Sequence, residues 1–172
     1  MEGKIHVLIP EEKVQARLDE LAAQINADYE GKQIHLICVL KGGVFAACEL
    51  AKRITLPLTM DFMSVSSYGD ATVSSGLVRI VKDLDEPIEN KHVLIAEDII
   101  DSGNTLHHLL EILTSRRPAD IQICTLLDKP DRRTAQVEVK YTGFSIPDKF
   151  VIGCGLDYKQ LYRNLPYVGV IE

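Results

Sequence analysis

Three short runs of this chain are apolar almost without interruption: Ile34–Leu40 (IHLICVL), Val93–Ala96 (VLIA) and Ile121–Leu127 (IQICTLL). A strand with one wet face alternates polar and apolar residues, whereas a strand covered on both faces does not need to. Segments of helical spacing separate the runs. Val14, Leu18, Leu21, Ala22 and Ile25 mark one face over residues 11–29, with Pro10, Glu11 and Glu12 at its start and Gly31 beyond its end. Residues 44–53 read as a second helix, and Leu106, Leu109, Leu110 and Leu113 begin a third. Buried strands alternating with helices predict an α/β fold. Its central sheet is mostly parallel, flanked by helices and joined by right-handed crossovers.

The remaining segments are shorter. Leu58–Ser66, Leu77–Val81 and Phe150–Leu156 read as strands, an acidic turn surrounds Pro87, and Leu165–Ile171 ends in a strand-like piece. Val137–Tyr141 alternates, and Phe144–Pro147 is irregular. The 172 residues suit a single domain with a substantial core. A net charge of −6 argues against general binding to nucleic acid or anionic membrane, though not against a local basic pocket. No run reaches the length of a membrane span, and the first residues have too short an apolar core for a signal peptide. The expected location is cytoplasmic. Cys38, Cys48, Cys124 and Cys154 form no CxxC pair and are expected to be reduced, buried core thiols.

Each apolar run breaks into polar residues. Leu40 leads into Lys41-Gly42-Gly43, Ala96 into Glu97-Asp98, and Leu127 into Asp128-Lys129. Ligands of parallel sheets bind beyond the carboxyl ends of the strands, so all three ends should face one crevice. Shortly after Asp98 come Asp101 and a small polar turn, Ser102-Gly103-Asn104-Thr105, which feeds the third helix. A helix start offers free N–H groups and a positive dipole end, which suits a phosphate. No GxxxxGK[ST] and no GxGxxG is present, which argues against Walker-type and dinucleotide sites. His107 and His108 show no metal-ligand spacing and read as helix-surface residues. The stretch 67–76 is small, polar and glycine-containing, in keeping with either a surface loop or a mobile lid.

Val93–Leu106 (VLIAEDIIDSGNTL) resembles the phosphoribosyl-diphosphate (PRPP) signature of the type I phosphoribosyltransferases: an apolar strand, two acids, two apolar residues, then Asp-Ser/Thr-Gly and a Thr. The likeness extends from about Ile34 onward. Leu40–Gly43, Ser67–Gly69, Lys129 with Arg133, and Lys149–Val151 through Asp157-Tyr158 to Arg163 are similar in order and spacing to the hypoxanthine-guanine phosphoribosyltransferase subfamily. The resemblance implies the type I phosphoribosyltransferase fold over residues 1–172. Its core would span about 11–140, and a small hood would come from the N-terminal segment and residues about 141–172.

The implied reaction joins a 6-oxopurine to PRPP, giving a purine nucleoside monophosphate and diphosphate, with Mg²⁺ as cofactor. Glu97 and Asp98 would hold the ribose hydroxyls and approach the metal, with Asp157 near a second ion or the purine 2-position. Asp101 would serve as general acid/base at purine N7. The 5′-phosphate would lie on the segment holding Ile99, Ile100, Ser102, Gly103, Asn104 and Thr105, the Asn104 side chain being dispensable. Lys41 and Gly42, across an unusual and often cis peptide, would contact diphosphate with Arg163. Lys129 would donate to the 6-oxo group, Phe150 would stack on the base, and Val151 and Lys149 would complete the purine site. The Ser67-Tyr68 loop would close over the reacting centre. Its partners would be small molecules and further copies of the chain, as a homodimer or homotetramer, with no nucleic acid or membrane. A PRPP-sensing regulator of the same fold ranks well behind, because Asp101, Lys129, Phe150 and Asp157 are all present and the chain is acidic. A receiver-like binding module ranks lower still.

Overall fold

The computed structural model describes residues 3–67 and 78–172. Tyr68 and the rest of the expected lid beyond Ser67, together with Leu77, lie outside the described residues. Strand β1 (Ile5–Ile9) precedes helix α1 (Glu11–Asp28), which follows Pro10 and carries Glu11 and Glu12 in its first turn. Then come β2 (Ile34–Val39), α2 (Gly43–Arg53), β3 (Leu58–Ser67), β4 (Val78–Lys82), β5 (His92–Ile100) and α3 (Asn104–Ser115). The chain finishes through β6 (Asp120–Asp128), a 3₁₀ turn at Pro130–Arg132, β7 (Tyr141–Ser145), β8 (Val151–Ile152) and β9 (Val168–Ile171).

Six strands form one sheet in the order β4-β3-β2-β5-β6-β7, with β4 antiparallel to β3 and every other pairing parallel. All six residues of β2 are buried, because the sheet is covered on both faces. Ile34, Leu36, Cys38, Leu94 and Ala96 pack toward α1 and α2. Ile37, Val39, Val93, Ile95 and Ile123 pack toward Leu106, Leu109 and Leu113 of α3. The continuous apolar runs therefore feed two cores at once. The order of strands reverses between β2 and β5: the chain moves outward from β2 to β3, then returns to the other side of β2 and moves outward through β6 and β7. Open α/β sheets bind ligands at such a reversal.

Four expectations are corrected. The first acidic residues of the central stretch do not follow the strand; β5 runs on through Glu97 and Asp98 to Ile100. Ile99 and Ile100 keep pairing with Leu127 and Asp128, which extends the ladder past the acids. The alternating Val137–Tyr141 is a strand only at Tyr141; Val139 instead packs against the α3-side core. β7 takes in Phe144 and Ser145, expected to be irregular, and lies at the edge of the large sheet beside β6. The strand expected over 150–156 is just two residues long, because Gly153, Cys154 and Gly155 all have positive φ and bend the chain away.

β1 was not foreseen. It pairs antiparallel with β9, and β9 pairs with β8, giving a second, three-stranded sheet. Among the described residues, no helix is long and apolar enough to cross a membrane. The four cysteines are free thiols, and Cys48, expected in the core, is exposed on α2; burial pushes Cys38 and Cys124 up to about 12 and Cys154 to about 11, as suits packed and unreactive groups.

Candidate active site

At the strand-order reversal, β2 turns into α2 through Lys41 and Gly42, and the Leu40–Lys41 peptide bond is cis. Gly42 lies so close to Asp98 that a Cβ there would overlap the Asp98 carboxylate. On its other side Gly155, at φ +101°, approaches the Gly42 carbonyl closely enough that any side chain would collide with it. Three backbone segments thus meet at one point, brought from β2, β5 and the turn after β8.

Two cations stand over this point. Lys41 Nζ donates to Gln160 Oε1 at 3.2 Å, and the same oxygen accepts from Arg163 Nη2 at 3.3 Å. Arg163 also donates to the Gly155 carbonyl at 2.7 Å and pairs with Asp157 at 3.1 Å. Asp157 accepts in addition from the Gln160 N–H at 2.8 Å, so its carboxylate braces the turn that carries Arg163. A neutral acceptor shared by two cations keeps them side by side without cancelling their charge, which favours a polyanionic ligand.

Beside them sit Glu97 and Asp98. Burial first, then the charge of Asp98, holds the Glu97 carboxyl well above the usual range. Burial also raises Asp98, opposed by a 2.7 Å hydrogen bond from the Ile99 N–H and by Arg163, and assisted by Asp157. Burial thus favours the protonated forms of both carboxyls until a cation or donor stabilises their charge.

The phosphate-type turn follows. Gly103, at φ 81°, caps α3, whose first N–H groups lack partners within the helix. The Ser102 carbonyl accepts from the N–H groups of Thr134 and Ala135 at 3.0 and 3.1 Å, and Thr134 Oγ1 donates to Asn104 Oδ1 at 3.1 Å. The segment after β6 therefore fixes the turn from outside. A cavity of about 280 Å³ opens over it, lined by Leu40, Glu97, Ile100, Asp101, Ser102 and Thr105 among others, with Ile99 and Gly103 also on its wall.

The other end of the crevice is built from β6 and β7. Lys129 is 7% exposed; its N–H donates to the Ile100 carbonyl at 2.9 Å, and its ammonium lies 3.8 Å from Asp148. Asp101 accepts from Arg132 Nε at 3.0 Å, while Arg133 reaches the Asp101 carbonyl at 3.3 Å and pairs with Asp128. Phe150 is 56% exposed and braced edge-on by Tyr158, ring centroids 5.8 Å apart. Val151 is buried and pairs with Val170. Lys149 is exposed, and Ser67 ends β3 exposed.

Lys41, Gly42, Asp157 and Arg163 therefore meet at one end, Lys129 lies beside the Asp101 strand end, and the turn from Asp101 to Thr105 is fixed by the segment after β6. Sequence reasoning missed Gln160, Arg132 and Asp148. Gln160 carries no charge to flag it, and the other two lie in ordinary charged turns whose pairing is a tertiary property.

The phosphoribosyl transferase domain family matches over residues 10–159. The chain belongs to that family. A hypoxanthine-guanine phosphoribosyltransferase of Staphylococcus aureus (strain Mu50) is 51% identical over 96% of this chain and 93% of its own length. One of Staphylococcus epidermidis is 50% identical over 97% of this chain and 93% of its own. Among solved structures, a Bacillus anthracis hypoxanthine-guanine phosphoribosyltransferase, with HEPES in its active site, superposes with a TM-score of 0.95. That structure shares 45% identity and covers 99% of this chain and all of the other. The two-sheet arrangement described above is thus that of a phosphoribosyltransferase. The family match stops short of β9 and begins after β1, so the small sheet is completed by strands outside the matched residues.

Proposed function

We propose that the chain transfers the 5-phosphoribosyl group of PRPP to a 6-oxopurine, hypoxanthine or guanine, in purine salvage, forming IMP or GMP and releasing diphosphate. The observation that carries this reading is the position of the Asp101–Thr105 turn. It lies between a cationic end, Lys41 with Arg163, and a base end, Lys129 with the Phe150 region. Relatives about half identical over nearly their whole length bear the corresponding name.

In this reading the C1′–O bond of PRPP breaks and its electron pair leaves with diphosphate, received by Lys41, Arg163 and the Gly42 backbone. Purine N9 bonds to C1′, and the proton lost from the imidazole ring at N7 goes to the Asp101 carboxylate. The sugar passes through an oxocarbenium-like state, so water must be kept away from C1′, a task for the loop that begins at Ser67. Ser102, Thr105 and the first N–H groups of α3 hold the 5′-phosphate. Lys129 donates to the 6-oxo oxygen, and Phe150 stacks on the ring with the Val151 backbone and Lys149 at its edge.

The acidic pair suits a magnesium ion. Glu97 and Asp98 offer hard oxygen donors, and a bound cation would offset the burial that otherwise favours their protonated forms. Among the described residues, no three ligand-type side chains cluster, so substrate oxygens and water would complete the coordination. Asp157 is the further carboxylate near Asp98. When bound, the ion supplies neutralisation of charge on the diphosphate.

Purified protein supplied with PRPP and Mg²⁺ is expected to convert hypoxanthine and guanine, with diphosphate released one-for-one, and to leave adenine unreacted. Failure to consume PRPP with hypoxanthine, guanine or xanthine would overturn the assignment. Gly155→Ala is expected to raise KM for PRPP by about tenfold. The new side chain collides with the Gly42 carbonyl and meets an unfavourable backbone angle, which together cost ~1–3 kcal/mol. An unchanged KM for PRPP would separate Gly155 from the diphosphate end.

A further inference from the structure

The base end of the crevice contains a chain of alternating charges. Arg132 Nε lies 3.0 Å from Asp101 Oδ1, Arg132 Nη1 lies 3.6 Å from Asp148 Oδ2, and Asp148 Oδ1 lies 3.8 Å from Lys129 Nζ. Its two ends are the groups assigned above to the purine: the proton acceptor and the donor to the 6-oxo oxygen. Its two middle members touch neither the expected phosphate site nor Lys41 and Arg163.

The backbone fixes this arrangement. The Lys129 N–H is bonded to the Ile100 carbonyl, beside Asp101, and the Arg132 N–H returns to the Lys129 carbonyl at 3.1 Å. Pro130 begins the single 3₁₀ turn that swings Arg132 over Asp101. Asp148 arrives from the other side, after β7, where the Ile146 N–H bonds the Asp128 carbonyl at 2.8 Å. Four residues from three separate segments are therefore held in register by main-chain bonds.

Physical chemistry gives each middle residue a task. A buried ammonium is costly without an anionic partner, and the Lys129 side chain is 9% exposed. Asp148 supplies that charge from a half-exposed position. The planar guanidinium of Arg132 spans both carboxylates through different nitrogens, which a lysine could not do in one fixed geometry. Two positive and two negative groups leave no net charge, so a neutral base enters without stranding an ion.

We propose that Arg132 and Asp148 are positioning residues that tie the proton acceptor Asp101 and the oxo-reading Lys129 into one unit. This rests on the purine-transfer reading above. Asp148 acts through Lys129 on base recognition, and Arg132 acts through Asp101 on turnover.

The test is a double-mutant cycle of Arg132→Gln and Asp148→Asn on the full chain, with Asp148→Glu as the conservative control. Asp148→Asn is expected to raise KM for hypoxanthine by about fivefold, the scale of one partly exposed ion pair, and to leave KM for PRPP unchanged. Arg132→Gln is expected to lower kcat by a similar factor with little change in either KM. The double variant should cost less than the product of the singles, because each breaks the same chain. Asp148→Glu should restore KM for hypoxanthine. Wild-type constants in both single variants, an equal rise in KM for PRPP, or fully multiplicative effects would each overturn the inference. A wild-type protein that turns over no purine would instead bring down the functional reading and this inference with it.

Discussion

Asp101→Asn is expected to lower kcat by about 10²–10⁴-fold, the usual contribution of a positioned general base. The substitution is nearly isosteric. Its amide oxygen still accepts from Arg132, and the main-chain bond from Arg133 to the residue 101 carbonyl is untouched. The turn that follows keeps its brace from Thr134 and Ala135, so the phosphate end should be intact. What is lost is the ability to take a proton from the purine ring. IMP or GMP should therefore bind with little change while the rate collapses. Steady-state kinetics paired with titration calorimetry separates the two. A kcat within about twofold of wild type would remove Asp101 from the chemistry.

Lys129→Ala is expected to lower kcat/KM for hypoxanthine by about 10²-fold or more and to erode the preference for oxopurines over adenine. The ammonium is a donor in a nearly closed site, and an amino group at purine C6 presents hydrogens toward it. The truncation has a second effect, because it leaves Asp148 without its lysine partner and keeps it paired with Arg132 alone. Lys129→Met fills the same volume without the charge and controls for the cavity. Parallel assays with hypoxanthine and adenine decide the matter: if both variants retain wild-type discrimination, another group reads the 6-position.

Much of the large sheet was legible because burial on both faces writes itself as uninterrupted apolar sequence. β2 is the clearest case, with all six residues inaccessible. The crevice was legible for the same reason, since a run such as IHLICVL can meet Lys-Gly-Gly only where the sheet ends. The small sheet was far harder to read. β1 is short, with a single buried residue, and was not read; its partner β9 was marked by the strand-like end of Leu165–Ile171, but their pairing across the length of the chain has no local signal. The overrun of β5 past Ala96 was equally hidden, because two carboxylates inside a strand look like its end unless the pairing of Ile99 with Leu127 is known. Gln160, Arg132 and Asp148 share one limitation: their importance lies in which distant side chain each meets.

β9 also joins segments that lie far apart along the chain. It is the middle strand of the small sheet and holds β8, hence Val151, in place. The turn proposed to hold phosphate, together with Lys129, rests on strands β5 and β6 of the large sheet, apart from residues 168–171. The small sheet is therefore closed by contacts of very long sequence separation, Ile5 with Ile171 among them, which form late in folding because closing a long loop costs entropy before any contact offsets it.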